Sequence, residues 1–252
     1  MINIFDSHAH YDDKAFNNDR YDLLDSLFKS GISGIINAGS DLRTSRISLD
    51  LSKKYELVYA AVGIHPHEAQ KASRNFINDI RNMIKEGAVA IGEIGLDYHY
   101  DFSPREAQVR IFEDQLKLAK EMDIPVIVHD RDAHMDSMNL LKKYKPKGVV
   151  HCFSGSYEMA LEVIKLGMYI GIGGALTFKN ARKLVEIVSR IDMSKILLET
   201  DCPYMTPEPY RGKRNDSSYI PIIAKRIAEI KSRDPQEILN IAAENTKTLF
   251  NL

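Results

Sequence analysis

Asp6, His8 and His10 stand at alternate positions in the stretch FDSHAHY, residues 5–11. Side chains at i and i+2 of a strand share one face, with alpha carbons roughly 6.5 Å apart. Two imidazoles so placed can reach one cation at about 2.0–2.1 Å. Metal-competent side chains recur along the chain in short motifs: His65 and His67 in GIHPH, Glu93 and Asp97 in GEIGLDY, His129 and Arg131 in HDR, His151 in HCFSG, and Glu199 and Asp201 in ETD. Mixed histidine and carboxylate donors without cysteine suit zinc, manganese or similar divalent ions. A carboxylate at Glu93 has two oxygens and can bridge two ions. Asp201 can complete the first, and His129 and His151 can hold the second. Two ions about 3.5–4 Å apart activate water and stabilise the leaving oxygen of an ester.

Something must bring these motifs together, and each follows a short apolar run. The runs are Ile2–Phe5, Gly34–Asn37, Val58–Val62, Ala88–Ile91, Pro125–Val128, Gly148–Val150, Met168–Ile172 and Lys195–Leu198. Between them lie stretches of helical period. Leu23, Leu24, Leu27 and Phe28 form a stripe stopped by Gly31; Phe76, Ile77, Ile80 and Ile84 form one stopped by Gly87. SPRE at Ser103–Glu106 and DPQE at Asp234–Glu237 read as capping boxes with proline in the first turn, and Ile222, Ile223, Ile227 and Ile230 mark another helix. Eight near-continuously apolar strands, each followed by a crossover, predict a parallel (β/α)₈ TIM barrel. An open doubly wound sheet would favour a G-x-G-x-x-G at the first strand–helix turn, and none is present there. In a barrel all the motif residues fall at the C-terminal mouth, where catalytic groups collect. Unrelated surface histidines have no reason to converge on one mouth.

The chain of 252 residues, 44% hydrophobic, fits one domain of residues 1–252. A net charge of −1 excludes a generally basic surface for nucleic acid, so phosphate contacts must be local. No apolar run reaches the roughly 18 residues of a membrane span. There is no secretory leader pattern, and Cys152 and Cys202 form no disulfide or CxxC pattern, so a cytoplasmic location is expected.

DSHAH, GIHPH, GEIGLDY, HDRDA, HCFSG, GGALTFKNA, LLETDCPY and PYRGKRN, in this order from residue 6 to residue 215, resemble the TatD-type metal-dependent deoxyribonucleases, an amidohydrolase-like group. ENTKTLF near the C-terminus fits as well. The resemblance implies a distorted barrel with two divalent ions. His8, His10, Glu93 and Asp201 would hold one, and Glu93, His129 and His151 the other, with Asp201 taking the proton of the attacking water. It implies hydrolysis of DNA phosphodiesters, often from the ends of single strands; some relatives deacylate D-aminoacyl-tRNA. The family often has proline soon after RGKxN, whereas here it is delayed to Pro221, giving that loop its own shape.

Around this set, Arg211 and Lys213 of the RGKR cluster, Arg131 and His65 are the expected phosphate or substrate contacts. Asp6 and Glu199 are expected to support ligand imidazoles from behind. Two other functions use the same residues. A D-aminoacyl-tRNA deacylase or small-molecule amidohydrolase needs the same activated water. A non-catalytic metal or nucleic-acid binder has no need of a base at Asp201. No obligate protein partner is implied.

Overall fold

The computed structural model describes residues 1–252. Its eight strands are β1 (Ile4–Ala9), β2 (Ile32–Ala38), β3 (Val58–Val62), β4 (Ala90–Asp97), β5 (Val126–Arg131), β6 (Gly148–Val150), β7 (Tyr169–Ile172) and β8 (Ile196–Leu198). They pair in parallel in sequence order. The sheet closes where His10 N donates to Cys202 O at 2.8 Å and Asp201 N donates to His8 O at 2.9 Å. The expected barrel is therefore the observed one. Its helices are α1 (Arg20–Lys29), α2 (Leu42–Lys54), α3 (Phe76–Lys85), α4 (Arg105–Met122), α5 (His134–Tyr144), α6 (Tyr157–Lys165), α7 (Arg182–Arg190), α8 (Ile220–Lys231) and α9 (Pro235–Phe250). None is long and apolar enough to cross a membrane.

Two buried clusters hold the layers. The larger joins the outward faces of the strands to the helices. The smaller holds Phe5, Ile36, Ala38, Ala61, Ala90, Ile127, Val149 and Leu197 with Ala243 and Phe250 of α9. Continuing the alternation of the last three strand residues gives His129 after Ile127, His151 after Val149, and Glu199 then Asp201 after Leu197. One face is thus apolar deep in the barrel and polar at its mouth.

Strands β1, β4 and β5 run past their apolar residues, β5 through His129 to Arg131, and the first two are also irregular. The expected β1 stops at Phe5, yet the strand carries Asp6, Ser7 and His8 as well; β4 extends through Glu93 to Asp97. Both have register shifts, between Asp6 and Ala9 on β1 and between Ile91 and Ile94 on β4. Such irregularities re-aim side chains, and these two flank His8 and Glu93.

One expected cap is absent. Ser103 does not cap α4, which begins after Pro104 with no side-chain cap. Its hydroxyl instead donates to His67 O at 2.8 Å and accepts from Gln70 N at 3.1 Å, pinning the loop after β3. Asp234 does cap α9, accepting from Gln236 N and Glu237 N. Pro221 enters the first turn of α8, a position where its missing N–H costs nothing.

Candidate metal centre

The two oxygens of Glu93 face two different groups. Its Oε2 is 3.5 Å from both His8 Nε2 and His10 Nε2, and those nitrogens lie 3.6 and 3.3 Å from Asp201 Oδ1. Its Oε1 lies 2.6 Å from His151 Nε2, 2.8 Å from His129 Nδ1 and 3.5 Å from His65 Nε2. The six expected ligands therefore share one site, and His65 joins them. Three sets of donor atoms within it converge closely enough for an ion: His8, His10 and Asp201; His8, Glu93 and His151; and His65, Glu93 and His129.

Hydrogen bonds behind the rings fix which nitrogen faces the centre. His10 donates from Nδ1 to Ala38 O at 2.8 Å, which leaves the Nε2 lone pair pointing inward. His129 donates from Nε2 to Asp97 Oδ2 at 3.0 Å, leaving Nδ1 to face Glu93 and His151. His65 has the opposite polarity. Its Nδ1 accepts from His67 N at 3.2 Å, so its proton sits on Nε2. The Nε2 atoms of His8 and His10 are only 3.0 Å apart. Two such lone pairs repel unless a proton or a cation lies between them. This convergent nitrogen and oxygen set fits a divalent ion.

Charge balance agrees. Burial alone would raise the Glu93 carboxyl, but His151, His65 and His129 outweigh it and hold it well below the usual carboxylate range. Burial likewise opposes the charge on Asp201, and a hydrogen bond and charge from His10 hold it low. In return Asp201 and Glu93 push His10 up to about 10 against its burial, while Asp97 and Glu93 push His129 up to about 9. Burial takes His8 and His65 down to about 4. The carboxylates therefore demand positive charge at this spot, which protons supply in the chain alone and divalent ions would supply equally.

The surrounding residues depart from expectation in several ways. Asp6 touches no imidazole ring. It accepts from Thr200 N at 2.9 Å, Thr200 Oγ1 at 2.6 Å, Ser217 Oγ at 2.7 Å and the backbone of His8 at 3.3 Å. Its work is to tie β1 to the segment after β8. Glu199 accepts from Cys152 N through Oε1, and its Oε2 has no hydrogen-bond partner; nor does Nδ1 of His151. Burial pushes Glu199 up to about 8. Asp97 proves to be the support for His129, and its Oδ2 also accepts from His67 Nε2 at 3.0 Å. Its four-residue distance from Glu93 along GEIGLDY was the available signal.

Over the cluster opens a cavity of about 720 Å³, lined by His10, His65, Glu93, His129, His151 and Asp201 of the cluster and, around them, by Lys14, Arg20, Arg43 and Arg131, the carboxylates of Asp12 and Asp13, and Tyr100 and Tyr204. Arg131 is exposed there and pairs with neither Asp6 nor Asp97; its guanidinium lies 4.7 Å from the Tyr100 ring centre. Arg211 and Lys213 do not line the cavity. Arg211 stacks on Phe178 at 3.8 Å, Lys213 lies over Tyr210 at 5.3 Å, and Arg214 pairs with Asp19 at 2.5 Å. The cations come instead from the segments after β1 and β2, where Lys14, Arg20 and Arg43 carry no motif to mark them.

The model of the family described as TatD related DNase matches residues 5–251. The chain is 40% identical over 253 positions to the uncharacterized metal-dependent hydrolase YabD of Bacillus subtilis, covering 99% of each. It is 34% identical over 261 positions to the 3'-5' ssDNA/RNA exonuclease TatD of Salmonella typhimurium, again over 99% of each. The crystal structure of the TatD homologue YjjV from Escherichia coli matches with a TM-score of 0.93 at 32% identity, covering 99% of this chain and 98% of that one. Likeness of this extent, in sequence and in barrel alike, places the chain in the TatD-related DNase family as a metal-dependent hydrolase.

Proposed function

We propose that the chain is a two-metal exonuclease on single-stranded DNA, formed as one hydrolase domain over residues 1–252. His8, His10, Glu93 and Asp201 would hold one divalent ion, and Glu93, His129 and His151 would hold the other. The observation that carries this reading is the division of Glu93, one oxygen toward each group of imidazoles. Bound ions of the zinc, manganese, magnesium or cobalt kind would acidify a water and neutralise charge on the phosphodiester. The chain's own residues do the rest. Asp201, held anionic beside His10, accepts the proton of the attacking water. His65 carries its proton on Nε2 and is neutral at pH 7, so it donates to a phosphate oxygen rather than serving as a ligand. Arg131, Arg43 and Lys14 neutralise phosphates along the cavity wall. Asp6 and Glu199 hold the backbone that presents His8, Asp201 and the segment after His151. Arg211 and Lys213 have no place in this site.

A deacylase acting on D-aminoacyl-tRNA or a small amide would use the same centre, but the cationic wall favours a polyanion whose reacting group is itself a phosphate. The Salmonella relative's activity on single strands from the 3' end supports the same choice. Two free cysteines suit the reducing compartment expected from the sequence.

The test is a 5'-labelled single-stranded DNA incubated with the protein as isolated, after chelation, and after return of each metal. Shortening from the 3' end that stops on chelation and resumes with metal, with two ions per chain by mass spectrometry, is the expected result. Absence of phosphodiester cleavage with Zn²⁺, Mg²⁺, Mn²⁺ and Co²⁺ alike, alongside release of amino acid from D-aminoacyl-tRNA, would overturn it.

A further inference from the structure

Phe102 is 65% exposed and Tyr100 is 47% exposed, in the loop between β4 and α4. Lone apolar side chains at a surface are ordinary, but these two are ordered against each other. Their rings stack with centres 5.1 Å apart and planes 15° from parallel. The stack is anchored to the reaction centre. The His67 ring meets Phe102 edge-on at 4.8 Å, and its Nε2 donates to Asp97 Oδ2, the same oxygen that receives His129 Nε2. Tyr100 lines the cavity, and the Arg131 guanidinium lies 4.7 Å from its ring centre. Phe102 thus stands just outside the cavity mouth, with a backed ring and a positive charge nearby.

We infer that Phe102, backed by Tyr100, is a stacking shelf for an unpaired base of the strand being cut, beside the nucleotide whose phosphate lies at the metals. The inference rests on the nuclease reading. A flat exposed ring beside a cation matches the two surfaces of single-stranded nucleic acid, base face and phosphate. It suits no base in particular, since every base has a π face. A paired base has both faces covered by its neighbours in the duplex, so the shelf also gives a physical ground for preferring single strands. Phe102 acts on binding and positioning and touches no reacting atom.

The test compares wild type with Phe102→Ala on two single-stranded DNAs, one normal and one abasic at the two 3'-terminal nucleotides. On the normal strand the variant should raise KM about five-fold or more with kcat little changed. On the abasic strand the two proteins should have equal KM. Phe102→Tyr should restore the wild-type value and Phe102→Leu should not, because leucine fills space without a π face. A phosphorothioate-protected strand bearing 2-aminopurine near its 3' end reads stacking without cleavage, and its fluorescence should be quenched by wild type more than by Phe102→Ala. Equal losses on normal and abasic strands would show that Phe102 merely props His67, and would overturn the shelf while leaving the nuclease reading standing. Unchanged KM with equal quenching would overturn the shelf as well. A strand that wild type neither cleaves nor binds would overturn the nuclease reading and the shelf with it.

Discussion

The floor of the cavity and its wall are built by different means. On the floor, His8, Glu93 and His151 are buried on strand ends, and each converging atom sits among several partners. On the wall, Lys14, Arg43 and Arg131 are exposed side chains reaching in from the segment after β1, the start of α2 and the last residue of β5. The floor therefore holds its donor atoms in fixed positions, as transition-state stabilisation demands. The wall supplies charge, which acts over several ångströms and tolerates motion. Substitutions below should cost chemistry, and substitutions above should cost grip.

The largest effect should come from Glu93→Gln, which weakens both halves of the centre at once. Activity should fall more than about 10⁴-fold, with metal content dropping in mass spectrometry. Asp201→Asn, which keeps a donor oxygen but loses the base, should cost about 10²–10⁴-fold in kcat. Equal metal content and equal activity in these two variants would erase the distinction between bridging and proton transfer. On the wall, Arg43→Ala should leave kcat alone and reduce the slope of log affinity against log salt by about 0.7, the loss of one phosphate contact on a single strand. A fall in kcat with an unchanged slope would mean that the wall takes part in the chemistry.

A charged group that lines neither region gives the smallest effect and a reference for both. Glu86, exposed on the loop after α3, is held down to about 2 by Arg46 first and Lys53 second. A carboxyl depressed below its ordinary value of 4.5 stabilises the fold above that pH and loses its contribution as pH falls toward 2. Glu86→Gln should slightly flatten the acid limb of stability measured by denaturant titration, in low salt only, and leave nuclease activity untouched. A change in activity there would argue that charge anywhere on the molecule matters as much as charge on the wall.

This division also decides what could be read in the sequence. Strands β3 and β6 begin and end where their apolar residues do, and period two then aims the next polar residues at the mouth. His129, His151 and Asp201 follow from that alternation, while His8, His10 and Glu93 are out of phase with Phe5 and Ala90 and reach the centre through the register shifts on β1 and β4. What escaped is set by contacts between distant segments. Asp6 looked like a ligand's partner because it shares a row with His8 and His10, yet its partners are Thr200 and Ser217. SPRE has the letters of a cap, but Ser103 found a better partner in the loop after β3. RGKR looked like a phosphate grip by density of charge, while its arginines pair with Phe178 and Asp19. Local pattern reports direction along a strand; it does not report which loop leans over which cavity.

The closure between β8 and β1 has a consequence in time. A ribosome delivers His8 and His10 well before Asp201, and the backbone bonds that join them cannot form until Asp201 is made. On the proposed assignment the ion beside His10 spans that seam, so of the two ion sites it is the later to become possible. A chain ended before Asp201 would lack one proposed ligand together with the proposed base, and should cut nothing. Activity against nucleic acid would then await the segment after β8, a safeguard written into the order of synthesis and requiring no inhibitor.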